Sequence, residues 1–397
     1  MKIEWNKKYT TISVYVILVA VACMICYNLL HNFDSVKEAI GVVFSTLMPV
    51  VYGFSIAFII DPIVGFFEKK LFEKFWKDKM PRRWRKGLSV LLAYMVSVLV
   101  ITLFLYVVIP QVASSISGIV ANFRNYASDV NDWLTNLLAI MPQEPVFQEA
   151  ITQFKNVANQ IADMFYGWLS SALPLILNVT MNLTTGVTNM VLGIIISIYF
   201  LFSKERFLAQ IKKVMYAVFQ KDMVSKLISI THTSNRIFTG FISGKILDSL
   251  IIGVLCFIGM NVFKLPMAML VSVIVGVTNV IPYFGPFIGA IPGALIVFLI
   301  DPIKAFWFLL FILALQQFDG NILGPAILGD SIGMPAFWVI FSILVFGKIF
   351  GVLGMFIGVP TFAVIYSIFK MWIEGRLEKR GLPVSTYEYA SEEHPLD

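Results

Sequence analysis

Asn279-Val280-Ile281-Pro282-Tyr283-Phe284-Gly285-Pro286-Phe287-Ile288-Gly289 interrupts a long apolar stretch with residues that break helices. A second interruption follows: Gln316-Gln317-Phe318-Asp319-Gly320-Asn321-Ile322-Leu323-Gly324-Pro325, running on through Ala326 to Asp330. Apolar runs flank both. A bilayer offers no water to a freed backbone group, so non-helical backbone survives at membrane depth only inside protein or against a water-filled cavity. Discontinuous membrane helices of this kind hold the sites of many secondary transporters.

Composition agrees with a membrane setting. Of 397 residues, 58% are hydrophobic and 14% charged, against about half and about a quarter in a soluble domain. The formal net charge of +6 sits in short loops beside apolar spans, where it reports topology and not nucleic-acid binding. Cys23 and Cys26 form a Cys-x-x-Cys pair and Cys256 stands apart. With the pair inside an apolar helix and no histidine beside it, these read as small hydrophobes; neither a metal site nor a disulfide framework is expected.

The first apolar run, Ile12 to Leu30, is long enough to span and lacks a small-residue cleavage pattern, so it reads as a retained helix. Val42 to Ile60, Leu88 to Ile109 and Val187 to Phe202 are further spans. The loop from Lys69 to Lys86 carries nine Lys/Arg, a cytoplasmic marker that Lys2, Lys7 and Lys8 place on the same side as the N-terminus. Gln111 to Gly186 is poor in cations and is expected outside. It is too long for a structureless loop, and its apolar residues recur at helical spacing: Ile116, Ile119, Val120 and Phe123; Val130, Trp133, Leu134 and Leu137; Phe147, Ile151, Phe154, Ala158, Ile161, Phe165 and Trp168. The membrane surface, a neighbouring subunit or a self-packed hairpin could each cover these stripes. Basic residues return between Lys204 and Lys245 and again at Arg376, Lys379 and Arg380, placing both regions inside.

The apolar region between them must therefore cross an even number of times. Ile246 to Val262 and Val352 to Trp372 are near full length, whereas Met267 to Ile281, Phe287 to Ile300, Phe306 to Leu315 and Phe337 to Phe346 are short. Short paired segments separated by Pro and Gly suggest re-entrant or broken helices. The expected fold is all-α and polytopic, with about eight membrane helices, some incomplete, plus amphipathic extracytoplasmic helices. Its regions are the N-terminal spans and basic loop (1–110), the external helices (111–186), a membrane helix with cytoplasmic amphipathic helices (187–245), a transport core (246–373) and a cytoplasmic tail (374–397).

Two internal echoes stand out. Phe58-Ile59-Ile60-Asp61-Pro62-Ile63 resembles Phe298-Leu299-Ile300-Asp301-Pro302-Ile303, and Gly285-Pro286-Phe287-Ile288-Gly289 resembles Gly354-Met355-Phe356-Ile357-Gly358, with Pro292 and Pro360 following. An inverted repeat would leave such echoes; so would an apolar composition.

Ionisable residues within membrane spans are costly and read first as functional. Asp248 lies in an apolar helix with Lys245 three residues earlier on the same face, a candidate ion-coupling pair or a carboxylate still near the interface. Gln316, Gln317, Asp319 and Asn321 form the densest polar cluster of the apolar half, able to line a solute or ion path or to cap broken helices. Asn279 and Tyr283 add polar groups at the first interruption. Pro282, Gly285, Pro286 and Gly289 there, and Gly320, Gly324 and Pro325 at the second, supply the hinge or broken-helix positions. Asp330 is a weaker candidate, and Asp61 and Asp301, each before a proline, read as boundary residues. Enzyme readings find little support. His31, His232 and His394 are scattered, no metal motif occurs, and Gly240-Phe241-Ile242-Ser243-Gly244-Lys245 is one residue short of a phosphate loop and lacks its hydroxyl residue. No cofactor is expected.

These motifs resemble the AI-2E (autoinducer-2 exporter) family of bacterial membrane proteins. The resemblance rests on the Asn279 to Gly289 stretch, on Gln317 to Pro325, and on Phe350-Gly351-Val352-Leu353-Gly354-Met355 with Gly358-Val359-Pro360. It covers nearly the whole chain, although Ala326 stands where many relatives place lysine. It implies a transporter of the bacterial cytoplasmic membrane, exporting a small polar molecule such as autoinducer-2 or exchanging sodium for protons. It also implies a homo-oligomer, described as a pentamer for the family, with an elevator-like moving part. A membrane scaffold with no flux is the reading from a different class.

Overall fold

A computed structural model describes residues 7–31, 33–73, 81–140, 145–181, 183–328 and 333–389. Among them the regular structure is helical: α1 (Lys7–His31), α2 (Phe33–Phe66), α3 (Arg82–Ile140), α4 (Pro145–Met181), α5 (Leu183–Val218), α6 (Lys221–Val262), α7 (Ala268–Thr278), α8 (Gly285–Ile300), α9 (Pro302–Phe318), α10 (Gly324–Leu328) and α11 (Ala336–Lys379). Five described stretches are long and apolar enough to cross a membrane: Ser45–Phe72, Arg83–Asn136, Lys221–Val262, Pro302–Ile327 and Ala336–Lys379. Three shorter apolar helices accompany them: Thr10–Val21, Ala268–Thr278 and Gly285–Ile300. This is an all-α polytopic membrane protein. Most of the basic loop after Glu73, the proline-bearing link around Pro142, and Asp330 lie outside the described residues.

The chain forms two compact units. The smaller comprises Met1–Ala57 and Thr184–Leu201. Within it α2 and α5 meet at glycine: a Cβ on Gly53 would fall 2.6 Å from a methyl of Ile196, and Phe54 meets Phe200 edge to face at 6.2 Å. Small residues allow such close helix contacts in lipid, where hydrophobicity alone does not drive association.

The larger unit, Phe58–Leu183 and Phe202–Asp397, contains the main core. Helix α3 runs unbroken through Pro110, so the span at Leu88 to Ile109 and the first external stripe belong to one rod, about 88 Å long at 1.5 Å per residue. Its upper part pairs with α4, and the two helices cover one another. Ile116, Ile119 and Phe123 of α3 and Phe165 and Leu169 of α4 are buried in the same core as Ile252, Cys256, Met260, Val271, Val275, Ile296 and Phe308. Trp133 extends this contact to Phe298, ring centroids 6.1 Å apart. The self-packed hairpin is thus observed, with α6 to α9 as its floor. The stripe on α4 is rotated from the expected one: Leu169 is buried, whereas Ile161 and Trp168 are exposed. Phe147, Ile151, Phe154 and Ala158 have side chains outside the described set.

Helices α6 to α9 form a folded ribbon. The turn after α6 uses left-handed residues at Lys264 and Met267, after which α7 packs back along α6. The two backbones touch at paired glycines, where a Cβ on Gly276 would sit 3.0 Å from the Cα of Gly253. Helix α8 then returns along α7, and α9 along α8. At 1.5 Å per residue α7 is about 17 Å long and α8 about 24 Å, each short of the ~30 Å hydrocarbon core. They make a helical hairpin whose tip is the first interruption.

A second hairpin lies within α11. Gly351 has φ +63 and ψ −146, which folds 336–350 back against 352–379. Trp338 stacks on Phe362 at 5.5 Å, and the arms bury Val339, Ile343 and Val359 against Phe241 of α6. Here one sequence echo acquires structure. A Cβ on Gly285 would overlap the Thr278 carbonyl of the first arm, and one on Gly354 would overlap the Phe346 carbonyl. Four residues on, a Cβ on Gly289 would fall 2.9 Å from the Cα of Val275, and one on Gly358 2.5 Å from the Cβ of Phe346. Each tip also carries one left-handed residue, Tyr283 (φ 61) or Gly351 (φ 63). The other echo has no structural counterpart. Asp61 lies within the continuous helix α2 and pairs with Lys204 at 2.6 Å, whereas Asp301 caps α9 by accepting from the backbone N–H groups of Ile303 and Lys304, both at 3.1 Å.

Candidate functional site

The two interruptions differ in kind. The first is a compact turn whose backbone donors are largely satisfied locally. The Ile281 N–H donates to the Thr278 carbonyl (3.0 Å), that of Phe284 to Pro282 (2.7 Å) and that of Gly285 to Ile281 (2.9 Å). Pro282 and Pro286 have no N–H to satisfy. Tyr283 adopts a left-handed backbone, which costs a non-glycine residue about 1–3 kcal/mol, and its ring is exposed.

The second interruption is not a break. The helix passes from α9 through a π turn, Asp319–Leu323, into α10, and the Gly324 N–H donates to the Asp319 carbonyl five residues back. Pro325 lacks a donor and its ring would crowd the carbonyl four residues earlier; a widened turn before it relieves that clash without ending the helix. The widening splits the polar residues between two faces. Asn321 donates its amide to the backbone carbonyl (3.0 Å) and side-chain oxygen (2.9 Å) of Gln317 on the exposed side. Asp319 turns inward and is buried, and the Gln316 amide nitrogen is buried with no partner among the described residues. Gly320 faces open space.

Asp319 meets the other candidates there. On α6, Lys245 and Asp248 are both buried, and the Lys245 ammonium holds Oδ2 of Asp248 at 2.6 Å. Asn279, fully buried at the end of α7, donates its side-chain amide to that same oxygen at 3.2 Å. Asp319 lies within interaction range of Asp248, Asn279 and Lys245. Four residues from three separate stretches of chain thus share one buried polar centre.

The ribbon sets the depth of this centre. Asp248 lies about 21 Å along α6 from its C-terminal end, Asn279 about 17 Å along α7 from its start, and Asp319 about 26 Å along α9 from its start, at 1.5 Å per residue. These starts and ends neighbour one another, so the three residues lie about 17–26 Å from the base of the ribbon. Gly253 and Gly276 bring α6 and α7 close enough for the Asp248–Asn279 bond. Neither glycine was singled out in the sequence, nor was Ser249, whose hydroxyl is buried beside Asp248 without a partner. The signal was a glycine in each of two facing apolar helices, legible only once their pairing is known.

Among the described residues, Oδ1 of Asp248, Oδ1 of Asp319 and Oδ1 of Asn279 have no hydrogen-bond donor, although Asp319 stands within hydrogen-bonding range of Asp248 and Asn279. Buried acceptors left empty are costly. Two carboxylates against one ammonium also leave a formal charge of −1, which the interior of a membrane protein disfavours strongly. A proton shared between the two carboxylates, which lie within hydrogen-bonding range of each other, or a further cation would balance it.

Comparison with known proteins agrees in class. The model of the AI-2E family transporters matches residues 12–374. The chain is 26% identical over 310 residues to YueF of Bacillus subtilis, named as a transport protein, covering 75% of this chain and 76% of that one. It is 22% identical over 283 residues to a Thermotoga maritima protein also named for transport, covering 66% of this chain and 86% of the other. A shorter match, 41% identical over 113 residues, links it to YrrI of Bacillus subtilis, covering 28% of this chain and 32% of that protein.

Proposed function

Because this chain belongs to the AI-2E family of transporters, we propose that it is a secondary or facilitative transporter that exports a small polar molecule, with the Lys245–Asp248–Asn279–Asp319 centre as the step that couples the movement to an ion. The observation that carries the coupling is the buried centre itself. It unites two carboxylates, one ammonium and three oxygens with no donor among the described residues at the tip of a hairpin formed by helices too short to cross the bilayer. Side chains in such a position serve ion or proton pathways far more often than packing. Gln317, Asn321 and Tyr283, exposed near the two interruptions, supply the polar wall along which a solute of the autoinducer-2 type would pass. The basic loop, with Lys69, Lys70 and Arg83 among its described cations, sets both termini on the cytoplasmic side of a bacterial cytoplasmic membrane, and the functional unit is a homo-oligomer.

The same centre supports a second reading, exchange of a monovalent cation for protons, in which the charged centre carries the cargo and no organic solute is needed. Flux through the purified protein in proteoliposomes separates the two. A panel of small polar solutes is tested beside sodium, potassium and lithium gradients, with a pH-sensitive dye inside the vesicles. Solute movement that stops in the Asp248→Asn variant supports coupled export. Cation-driven pH change with no solute movement supports exchange. No flux of either kind would return the chain to the scaffold class.

A further inference from the structure

The ammonium of Lys245 occupies only part of the centre. It holds Oδ2 of Asp248, which Asn279 also contacts, while Oδ1 of Asp248, Oδ1 of Asn279 and Oδ1 of Asp319 receive no donor from the described residues. These are three hard oxygen acceptors, drawn from α6, the end of α7 and the π turn. Oxygens of this type suit small hard cations, and the two carboxylates exclude an anion. Lys245 itself is a compact charge on a flexible stem, and it lies within range of a second carboxylate, Asp319.

We propose that Lys245 is a resident counter-ion that competes with a small monovalent cation for Asp248. In the empty state its ammonium neutralises Asp248 and Asp319 is left over. When a cation enters, it takes the oxygens of Asp248 and Asn279, and Lys245 turns to Asp319. Each carboxylate then has one positive partner, and the formal charge of the centre goes from −1 to 0. No covalent bond changes and Lys245 keeps its proton. The proposal rests on the ion-coupling reading above and deepens it: the lysine sets how tightly the cation is held and returns to Asp248 when it leaves.

Sodium binding to the purified full-length protein provides the test, read as the rise in thermal unfolding temperature with sodium at constant ionic strength, choline replacing sodium. A ligand that binds only the folded state stabilises it in proportion to the logarithm of its occupancy factor. Lys245→Met keeps much of the side-chain volume and removes the competitor, so half-saturation is expected at ten-fold lower sodium or less. Lys245→Arg keeps the charge and grips a carboxylate with two donors, so it is expected to need at least ten-fold more sodium; it also serves as the readout should Lys245→Met not fold. A sodium response unchanged in both variants overturns the role of Lys245 while leaving the cation site standing. A wild-type protein with no sodium response overturns the cation site and this proposal together.

Discussion

The side-chain amide of Asn279 reaches Oδ2 of Asp248 at 3.2 Å, across 31 residues of sequence. This bond ties the tip of the α7–α8 hairpin to the middle of α6. It makes the first interruption more than a turn, because the asparagine that ends α7 also holds the buried carboxylate in place.

Asp248→Asn is expected to abolish coupled transport and lower the unfolding temperature. The substitution keeps the shape and removes the charge, leaving the Lys245 ammonium buried without a counter-charge. Breaking one partner of a buried pair costs about 3–5 kcal/mol. Lys245→Met combined with Asp248→Asn should recover much of that stability and none of the coupling. Thermal unfolding in detergent and proteoliposome flux, measured on the same preparations, check both parts.

The split of polar residues at the π turn makes the second prediction. Asp319 faces the buried centre, so Asp319→Asn is expected to reduce transport by at least a hundred-fold with folded protein retained. Gln317 and Asn321 bond each other on the exposed side, so Gln317→Ala loses their mutual hydrogen bond, worth about 1 kcal/mol, and one of several polar groups of the solute wall, and is expected to keep more than a tenth of the wild-type rate. Equal losses in the two variants would place the solute path and the ion centre in one undivided site.

Glycine substitutions distinguish hairpin geometry from loop freedom. A methyl at Gly285 would overlap the Thr278 carbonyl, and one at Gly354 the Phe346 carbonyl; backbone cannot yield as a flexible side chain can. Each Gly→Ala variant is expected to lower the unfolding temperature sharply and to stop transport. Gly320 faces open space within the π turn, so Gly320→Ala is expected to be neutral or stabilising by up to about 1 kcal/mol, the helical preference of alanine over glycine. A thermal-shift series of the three variants checks the order.

The α3–α4 pair is expected to depend on its buried seam. Leu169 is 1% exposed and sits in the main core, so Leu169→Ala should cost about 2–5 kcal/mol. Trp168, its exposed neighbour, should tolerate alanine with little change in the stability of the isolated chain. Limited proteolysis of the α4 segment, compared between the two variants, reports the difference.

The fold was legible where physics acts locally. Apolar runs of the right length marked four of the five spanning stretches, whereas Phe306 to Leu315, read as short, belongs to the fifth, Pro302–Ile327, and Val187 to Phe202 is not among the five; Met267 to Ile281 and Phe287 to Ile300 were legible as short helices. The candidate residues Lys245, Asp248, Asn279 and Asp319 could each be picked out, because ionisable or amide groups are rare in so apolar a stretch. Their meeting could not be. It depends on the turn at Lys264 to Met267, on the Gly253–Gly276 contact and on the antiparallel course of α9, all of which are tertiary. The π turn was hidden for a related reason: Gly320, Gly324 and Pro325 read as helix breakers, yet a helix can absorb them by widening. The rotation of the α4 stripe from Ile161 and Trp168 to Leu169 shows the same limit, since two apolar faces compete and only the partner helix decides between them.

The two hairpins share one further property. Where an arm meets its partner through side chains, the contact can shear, because rotamers adjust. Beside each tip glycine sets the returning arm directly against a backbone carbonyl of the first, Thr278 at Gly285 and Phe346 at Gly354, where no side chain lies between to yield. The contact beside each tip is therefore stiff, and motion in a transport cycle is expected at the base of the first hairpin, in the left-handed turn at Lys264 to Met267. A tip that carries Asn279 would travel with its hairpin as one solid piece, making or breaking the bond to Asp248 in a single step.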